Sequence, residues 1–155
     1  ITLEDCRKMA EEKIKDGYAY RKLKEMVISQ HGDVEAIENT DKLPKAEYYY
    51  EMVADKGGYV TSMDAKQCGI ASMILGAGRE KKDSGIDFGA GIRLLKKTGD
   101  SLEVGDTIAI LYSNNYDTFR EAEKVLRSAY QIGKEVPQKE KLIYARVTTE
   151  DVTYY

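Results

Sequence analysis

Cysteine and histidine are scarce in this sequence. The chain has two cysteines, Cys6 and Cys68, and one histidine, His31. The cysteines are far apart and do not have the spacing of metal ligands, so we expect two reduced, buried thiols. We expect His31 at the end of a helix, in a partly exposed position. The sequence contains no Ser-His-Asp set, zinc spacing or Walker-type nucleotide loop, so it predicts neither a metal nor a cofactor.

Long apolar runs and an excess of one charge are also missing. No apolar stretch approaches the length that spans a bilayer. Basic and acidic residues number 24 and 27, which gives a net charge of −3 with both signs interspersed. Nucleic acids and anionic membranes reward clustered Lys and Arg, so we expect neither as a partner. The apolar fraction of 42% and the charged fraction of 33% are typical of a globular domain, which we expect to be cytoplasmic.

Glycine, by contrast, is concentrated between Leu75 and Gly105. It recurs there at Gly76, Gly78, Gly85, Gly89, Gly91, Gly99 and Gly105. So many glycines in one stretch indicate backbone positions with positive φ or close approach. Aliphatic residues are interleaved with them, so the stretch is predicted to be a folded, turn-rich element and not a flexible linker.

Helical patterns precede residue 44. Thr2 and Asp5 have the spacing of a capping box, ahead of a helix that Gly17 ends. A second helix is predicted over residues 20–30, with Gly32 as its stop. The apolar positions on the inner faces of these two helices are Leu3, Cys6, Ala10, Ile14, Leu23, Met26 and Val27. This stripe needs a partner, so we expect exposed apolar area there if the segment is separated from a larger domain.

The pattern changes from helical to strand-like after Leu43-Pro44. We therefore expect a helical segment over 1–43, which belongs to a larger domain, and an α/β domain over 44–155. Strands are predicted at residues 48–52, 59–62, 91–96, 107–112 and 142–147. Helices are predicted after an Asp64 N-cap, and from Asp117 or Thr118 through Ile132. The tail, 149–155, is expected to be loosely held.

The predicted fold class is α+β. It consists of an N-terminal helical hairpin and a mixed β sandwich of the barrel-sandwich or hammerhead type, with an inserted helix and a covering helix. The run Tyr48-Tyr49-Tyr50 allows a base-stacking surface as one explanation. The flanking acids Glu47 and Glu51 favour the other explanation, a strand with both faces covered.

The motifs of the glycine-rich stretch resemble the C-terminal part of the pyrimidine-nucleoside phosphorylases, which include the thymidine phosphorylases. The matching positions are Leu75 to Arg79, Lys82, Ile86-Asp87, Gly91-Ile92, Lys97 to Asp100 and Gly105, with Leu43-Pro44, Gly58 to Val60 and Ile143-Tyr144 outside the stretch. Gly85 departs from the family pattern, where a residue with a side chain is more common.

The resemblance implies an enzyme of pentosyl transfer, in which phosphate and a pyrimidine nucleoside give the free base and a pentose 1-phosphate. In this family the phosphate- and nucleoside-binding residues lie mostly in the N-terminal part. None of those motifs is found in this chain, which begins at Ile1. We therefore expect a C-terminal fragment that is inactive alone, whose partner is the missing N-terminal part. The full-length protein is expected to be a homodimer.

The candidate site residues are Gly76, Gly78, Arg79, Lys82 and Asp87. Bare glycine amides near cations are able to cradle a phosphate. However, this loop follows a helix, so the helix dipole is oriented against an anion. We therefore expect a helix C-cap and a tight loop that contacts another domain. Asp87 is expected to accept hydrogen bonds from the backbone or from Arg79.

Residues 96–111 also resemble the lipoyl and biotinyl carrier domains, which share a flattened sandwich. In those domains the modified Lys stands in a hairpin just after the positions that correspond to 108–111. Here that position reads Tyr112-Ser113-Asn114-Asn115. The resemblance therefore predicts a shared fold without the acceptor Lys, and the alternative function is a non-catalytic carrier-like or binding module.

Overall fold

A computed structural model describes residues 1–79, 81–139 and 141–155 of the chain. The chain forms two units, Ile1–Pro44 and Lys45–Tyr155. The first unit contains helices α1 (Leu3–Lys15), α2 (Tyr18–Ser29) and α3 (Glu35–Glu38), followed by a 3-10 turn at Thr40–Lys42. It contains no strand among these residues, all of which are described.

Local capping signals position the helices of the first unit. The backbone amide of Asp5 donates to Thr2 Oγ1 at 3.1 Å, and the amide of Thr2 donates to Asp5 Oδ2 at 2.9 Å. The predicted capping box is therefore confirmed. Gly17 separates α1 from α2 with a φ of 74°, as expected for a helix end. After α2 the left-handed position is occupied by His31, with a φ of 59°, and not by Gly32.

The apolar stripe of the first unit is exposed. Leu3 is 80% exposed, Ile14 70% and Met26 49%, and α1, α2 and α3 contain no buried residue. The expected exposed apolar area is confirmed. The prediction of two buried thiols is wrong, because Cys6 is exposed and Cys68 is only partly buried. The helices of the first unit therefore do not cover this apolar stripe.

The second unit combines strands with two packed helices. Its elements are β1 (Tyr48–Val53), β2 (Gly58–Met63), α4 (Ala65–Ser72), a π-helical turn (Met73–Ala77), β3 (Gly91–Leu94), β4 (Ser101–Leu102), β5 (Thr107–Ser113), a 3-10 turn (Tyr116–Thr118), α5 (Phe119–Ala129), β6 (Tyr130–Gly133), β7 (Ala145–Val147) and β8 (Val152–Tyr154). The strands form sheets in the orders β1-β5-β3, β4-β2-β6 and β7-β8. The predicted α+β class is confirmed. All described strand pairs are antiparallel, where the sequence pattern predicted a mixed sheet.

One apolar core joins the two larger sheets to α4 and α5. Its buried members come from β1 and β5, from β2 and β6, and from the inner faces of both helices. They include Met52, Val60, Ala71, Leu75, Leu111, Phe119, Ala122, Leu126 and Ala129. The sequence spacing predicts an inner face of the covering helix that consists of Phe119, Ala122, Val125, Leu126 and Ala129. This face is confirmed, because four of these residues are buried and Val125 is partly buried.

The covering helix is shorter than predicted. α5 ends at Ala129, and residues 130–133 form β6 instead of a further helical turn to Ile132. The reason is strand pairing, because Tyr130 lies opposite Met63 and Gly133 lies opposite Tyr59. The tail, expected to be loosely held, contains β8 at residues 152–154, which pairs with β7, while residues 149–155 are all exposed.

The tyrosine run lies on an edge strand. β1 has β5 on one side and no described strand on the other. On the face shared by Tyr49, Glu51 and Val53 every residue is exposed, Tyr49 by 67%, whereas Met52 on the opposite face is buried. The prediction that both faces of this strand are covered is therefore wrong, because the face that carries Tyr49 is open to solvent.

Candidate functional site

The glycine-rich loop starts where α4 widens into a π-helical turn. Asp64 Oδ1 caps α4 by accepting hydrogen bonds from the amides of Lys66 at 2.8 Å and Gln67 at 3.2 Å. The π-helical turn contains Gly76, whose φ of 110° ends the helical path. The expected helix end at this glycine is confirmed. Single π-helical turns often occur at functional sites, which makes the following loop, residues 76–90, the candidate site.

Asp87 holds the two ends of this loop together. Its amide donates to the carbonyl oxygen of Gly76 at 2.9 Å. Its Oδ1 accepts from the amide of Gly89 at 2.9 Å, and its Oδ2 accepts from Asn114 Nδ2 at 2.8 Å. The expectation that Asp87 accepts a backbone hydrogen bond is confirmed. Both carboxylate oxygens are engaged, so the side chain is arranged as a structural acceptor.

Asn114 extends this network to the start of β1. While its Nδ2 donates to Asp87, its Oδ1 accepts from the amide of Glu47 at 2.7 Å. Gly89 lies against the same segment, since a Cβ there would sit 2.8 Å from the amide nitrogen of Ala46. One amide side chain and one close glycine contact therefore attach the loop to the edge strand.

Ser113 attaches the other end of the loop to the core. Its side chain is fully buried, and its Oγ donates to the carbonyl oxygen of Leu75 at 2.8 Å. The same oxygen accepts from the amide of Asn115 and from Thr118 Oγ1, both at 3.1 Å. Sequence analysis did not identify Ser113 or Asn114 as site residues. The available signal was a Ser-Asn-Asn run directly after an apolar strand, where such side chains commonly bond to turn backbone.

The cations of the loop lie on its outer part. Arg79, Lys81 and Lys82 are exposed, and the amide of Ser84 donates to the carbonyl oxygen of Lys81 at 3.0 Å in a small turn. Within the described residues, neither the Arg79 guanidinium nor the Lys82 ammonium makes a hydrogen bond or ion pair, so neither is brought to Asp87. Glu80 lies outside the described residues. Of the five candidate residues, Gly76 and Asp87 are joined directly, and Arg79 and Lys82 project from the segment between them.

Comparison with known proteins identifies the part of the chain that carries this site. The family described as "Pyrimidine nucleoside phosphorylase C-terminal domain" matches residues 59–133, from β2 through the loop to β6. Residues 59–133 therefore match the C-terminal domain of the pyrimidine-nucleoside phosphorylase family. Over these residues the resemblance inferred from the loop motifs is confirmed.

Two relatives are considerably longer than this chain. The pyrimidine-nucleoside phosphorylases of Staphylococcus aureus strains USA300 and NCTC 8325 are each 42% identical to this chain over 116 residues. The matched region is 75% of this chain and 27% of the relative's length. The chain thus spans about a quarter of the length of these relatives.

Aromatic rings from β1, the 3-10 turn and the start of α5 contact one another. The Tyr116 ring meets Tyr48 and Phe119 edge-on, with centroids 5.9 and 5.7 Å apart, and Phe119 also lies 6.0 Å from Tyr50. Burial and a hydrogen bond to Glu123 raise the pKa of Tyr50 above its ordinary value. Phe88, near the end of the loop, is 79% exposed, and Tyr116 is 69% exposed. Exposed aromatic area is therefore present both in the loop, at Phe88, and in the 3-10 turn, at Tyr116.

No cluster of three His, Cys, Asp or Glu side chains is placed to hold a metal ion, in the residues for which the structure gives positions. None of the described helices is long and apolar enough to cross a membrane. After β5 the chain enters the 3-10 turn at Tyr116–Thr118 and then α5. Residues 112–115 are thus not the tip of a hairpin, which is the position of the acceptor Lys in carrier domains.

Proposed function

We propose that this chain works as the C-terminal part of a pyrimidine-nucleoside phosphorylase. In that reaction, phosphate attacks the anomeric carbon of a pyrimidine nucleoside, and the products are the free base and a pentose 1-phosphate. The observation that carries the proposal is the family match over residues 59–133, supported by 42% identity to phosphorylases over 116 residues. We further propose a cytoplasmic homodimer for the full-length protein, to be tested by cell fractionation and sedimentation.

The chain's own role in this proposal is structural. Phosphorolysis requires a group that places the anion near the anomeric carbon and a group that stabilises charge on the leaving base. Both carboxylate oxygens of Asp87 accept hydrogen bonds, from Gly89 and Asn114, and Arg79 and Lys82 are exposed. We therefore assign both catalytic tasks to sequence outside this chain.

The test of this role is a comparison of two purified proteins. We expect the 155-residue chain to show no phosphorolysis of uridine or thymidine, and a full-length polypeptide that carries this sequence to catalyse it. Measurable turnover by the chain alone, after contaminating enzyme is excluded, would contradict the structural role. Absence of turnover in a folded full-length polypeptide would contradict the phosphorylase proposal itself.

The glycine-rich loop is proposed as a contact to the phosphate-binding region. Its ends are fixed by Asp87, Asn114 and Ser113, whereas its outer part presents Arg79 and Lys82. The two cations are therefore exposed, and they do not meet at a common site within the described residues. The loop would help to hold the closed state of the enzyme without touching the transferred atoms.

Arg79→Ala in the full-length enzyme tests this contact. We expect kcat to fall by about tenfold, or about 1.4 kcal/mol, with little change in thermal stability. Lys97→Ala is the matched control, because it removes an exposed cation from a different turn. A loss of several orders of magnitude with the fold intact would place Arg79 at the substrate, and an unchanged rate would reduce the loop to a connector.

The helical unit, Ile1–Pro44, is proposed to belong to the larger domain of the phosphorylase. Its exposed residues, including Leu3, Ile14 and Met26, form the face that this domain would cover. Amide hydrogen exchange in α1 and α2 is then slower in the full-length polypeptide than in this chain alone. Equal exchange in both proteins would show that the unit is not covered.

A further inference from the structure

The hairpin of β7 and β8 has one apolar face. Among the described strands, β7 and β8 pair only with each other. The register places Ala145 opposite Tyr154 and Val147 opposite Val152, so these four side chains lie on the same side of the hairpin. Val147 is 74% exposed, Val152 49% and Tyr154 80%. The apolar face is therefore largely open.

The turn of this hairpin fixes its register locally. The amide of Thr148 donates to the carbonyl oxygen of Asp151 at 2.9 Å. Thr148 Oγ1 donates to Asp151 Oδ1 at 2.8 Å and accepts from the amide of Asp151 at 3.0 Å. Arg146 and Thr153 are paired on the opposite face. The hairpin is thus built with a polar face and an apolar face, as is typical of strands that pack on a core.

An isolated two-stranded hairpin is marginally stable in water, because it lacks a surface on which to bury its apolar side chains. In this chain those side chains stay exposed, although the backbone pairing and the turn are complete. The 116 matched residues are 27% of the relatives' length, so most of a phosphorylase polypeptide lies outside this chain.

Resting on the function proposed above, we infer that the apolar face of the β7–β8 hairpin packs on the part of the phosphorylase polypeptide that this chain does not include. A second copy of the chain is the weaker occupant. Stable interfaces between separate proteins bury about 800 Å² per partner, and four side chains on a short hairpin supply only a fraction of that area. A contact within one polypeptide needs less area, because the two surfaces are already held together.

Hydrogen exchange of residues 142–155 tests the inference. The 155-residue chain is compared with a full-length phosphorylase polypeptide that carries the same sequence. We expect hairpin amides to exchange at least about tenfold more slowly in the full-length polypeptide. Because this comparison uses unaltered sequence, it stands even if a variant fails to fold.

A pair of variants locates the contact on one face. Val147→Lys places a charge on the apolar face, and Thr153→Lys places the same charge on the opposite face. We expect Val147→Lys to remove the protection in the full-length polypeptide and Thr153→Lys to retain it. In the chain alone, neither variant should change hairpin exchange, since both positions are exposed.

Two results would overturn the inference. One is equal hairpin exchange in the chain and in the full-length polypeptide. The other is concentration-dependent dimerisation of the chain alone that Val147→Lys abolishes and Thr153→Lys does not, which would assign the face to a second copy. Uridine phosphorolysis by the same full-length preparation separates the two proposals. A protected hairpin without phosphorolysis contradicts only the proposed function, and phosphorolysis with an unprotected hairpin contradicts only the packing.

Discussion

Replacing Ser113 with Ala removes one oxygen atom that organises the start of the glycine-rich loop. Ser113 Oγ is fully buried and is the donor to the carbonyl oxygen of Leu75 at 2.8 Å. Leu75 is itself only 2% exposed, so water does not reach its carbonyl without local opening. The substitution thus leaves a buried acceptor without its donor.

The expected cost follows from this lost partner. A buried polar group left unsatisfied costs about 1–3 kcal/mol, so we expect Ser113→Ala to lower the free energy of unfolding of the second unit by about 2 kcal/mol. For a domain of this size, that corresponds to a drop in Tm of roughly 10 °C. The amide of Asn115 also loses its acceptor, but Asn115 is exposed and water replaces the bond.

Urea unfolding of the chain, with Ser128→Ala as control, measures the effect. Ser128 Oγ donates to the carbonyl oxygen of Val125 at 2.6 Å on the exposed side of α5, so its removal should change the unfolding free energy by less than about 0.5 kcal/mol. Hydrogen exchange in residues 75–90 should rise only in Ser113→Ala. Equal, small effects of the two substitutions would refute the assignment of Ser113 as the loop's anchor.

Further predictions concern Tyr130 and two glycines. Burial raises the pKa of Tyr130 from 10.0 to about 12, so its contribution to stability is full below pH 10 and falls by up to about 1.4 kcal/mol per pH unit between pH 10 and 12. Urea unfolding measured from pH 9 to 12 should show this loss of stability in the unaltered chain and not in Tyr130→Phe. Gly58→Ala should destabilise by about 2 kcal/mol or more, because its Cβ would lie 2.4 Å from the carbonyl oxygen of Gly133 at a φ of +141°. Gly69→Ala is its control, because a Cβ at Gly69 would have no atom within 4 Å. We expect Gly69→Ala to stabilise α4 by about 0.5–1 kcal/mol. Equal changes in unfolding free energy for the two substitutions would contradict the close approach at Gly58.

Features set by neighbouring residues were predictable from the sequence. The caps at Thr2 and Asp64, and the inner face of α5, depend on spacings of three or four positions, which the sequence displays directly. The end of α5 does not depend on such spacings. Residues 130–133 continue an acceptable helical pattern, but β2 needs a partner strand, and that long-range pairing overrides the local preference.

The candidate site shows the same division. The glycines and the acceptor role of Asp87 were predicted, because glycine density and an Asx-type turn are local signals. The pairing of Asp87 with Asn114 was not, because it depends on where the β1–β5 and β3–β5 ladders place the end of β5. The open face of the tyrosine run had a similar cause, since long-range packing decides which face of a strand is covered.

The hydrogen bonds of Asn114 also determine when the loop takes its shape. They connect positions 67 residues apart in the chain on one side and 27 on the other. Contacts of such separation form only after the intervening chain has lost much of its freedom. During synthesis, the loop leaves the ribosome before Asn114 does. It lacks the hydrogen bonds of Asn114 until β5 has joined the sheet. The order of the loop is therefore acquired late, as a product of the completed sheet.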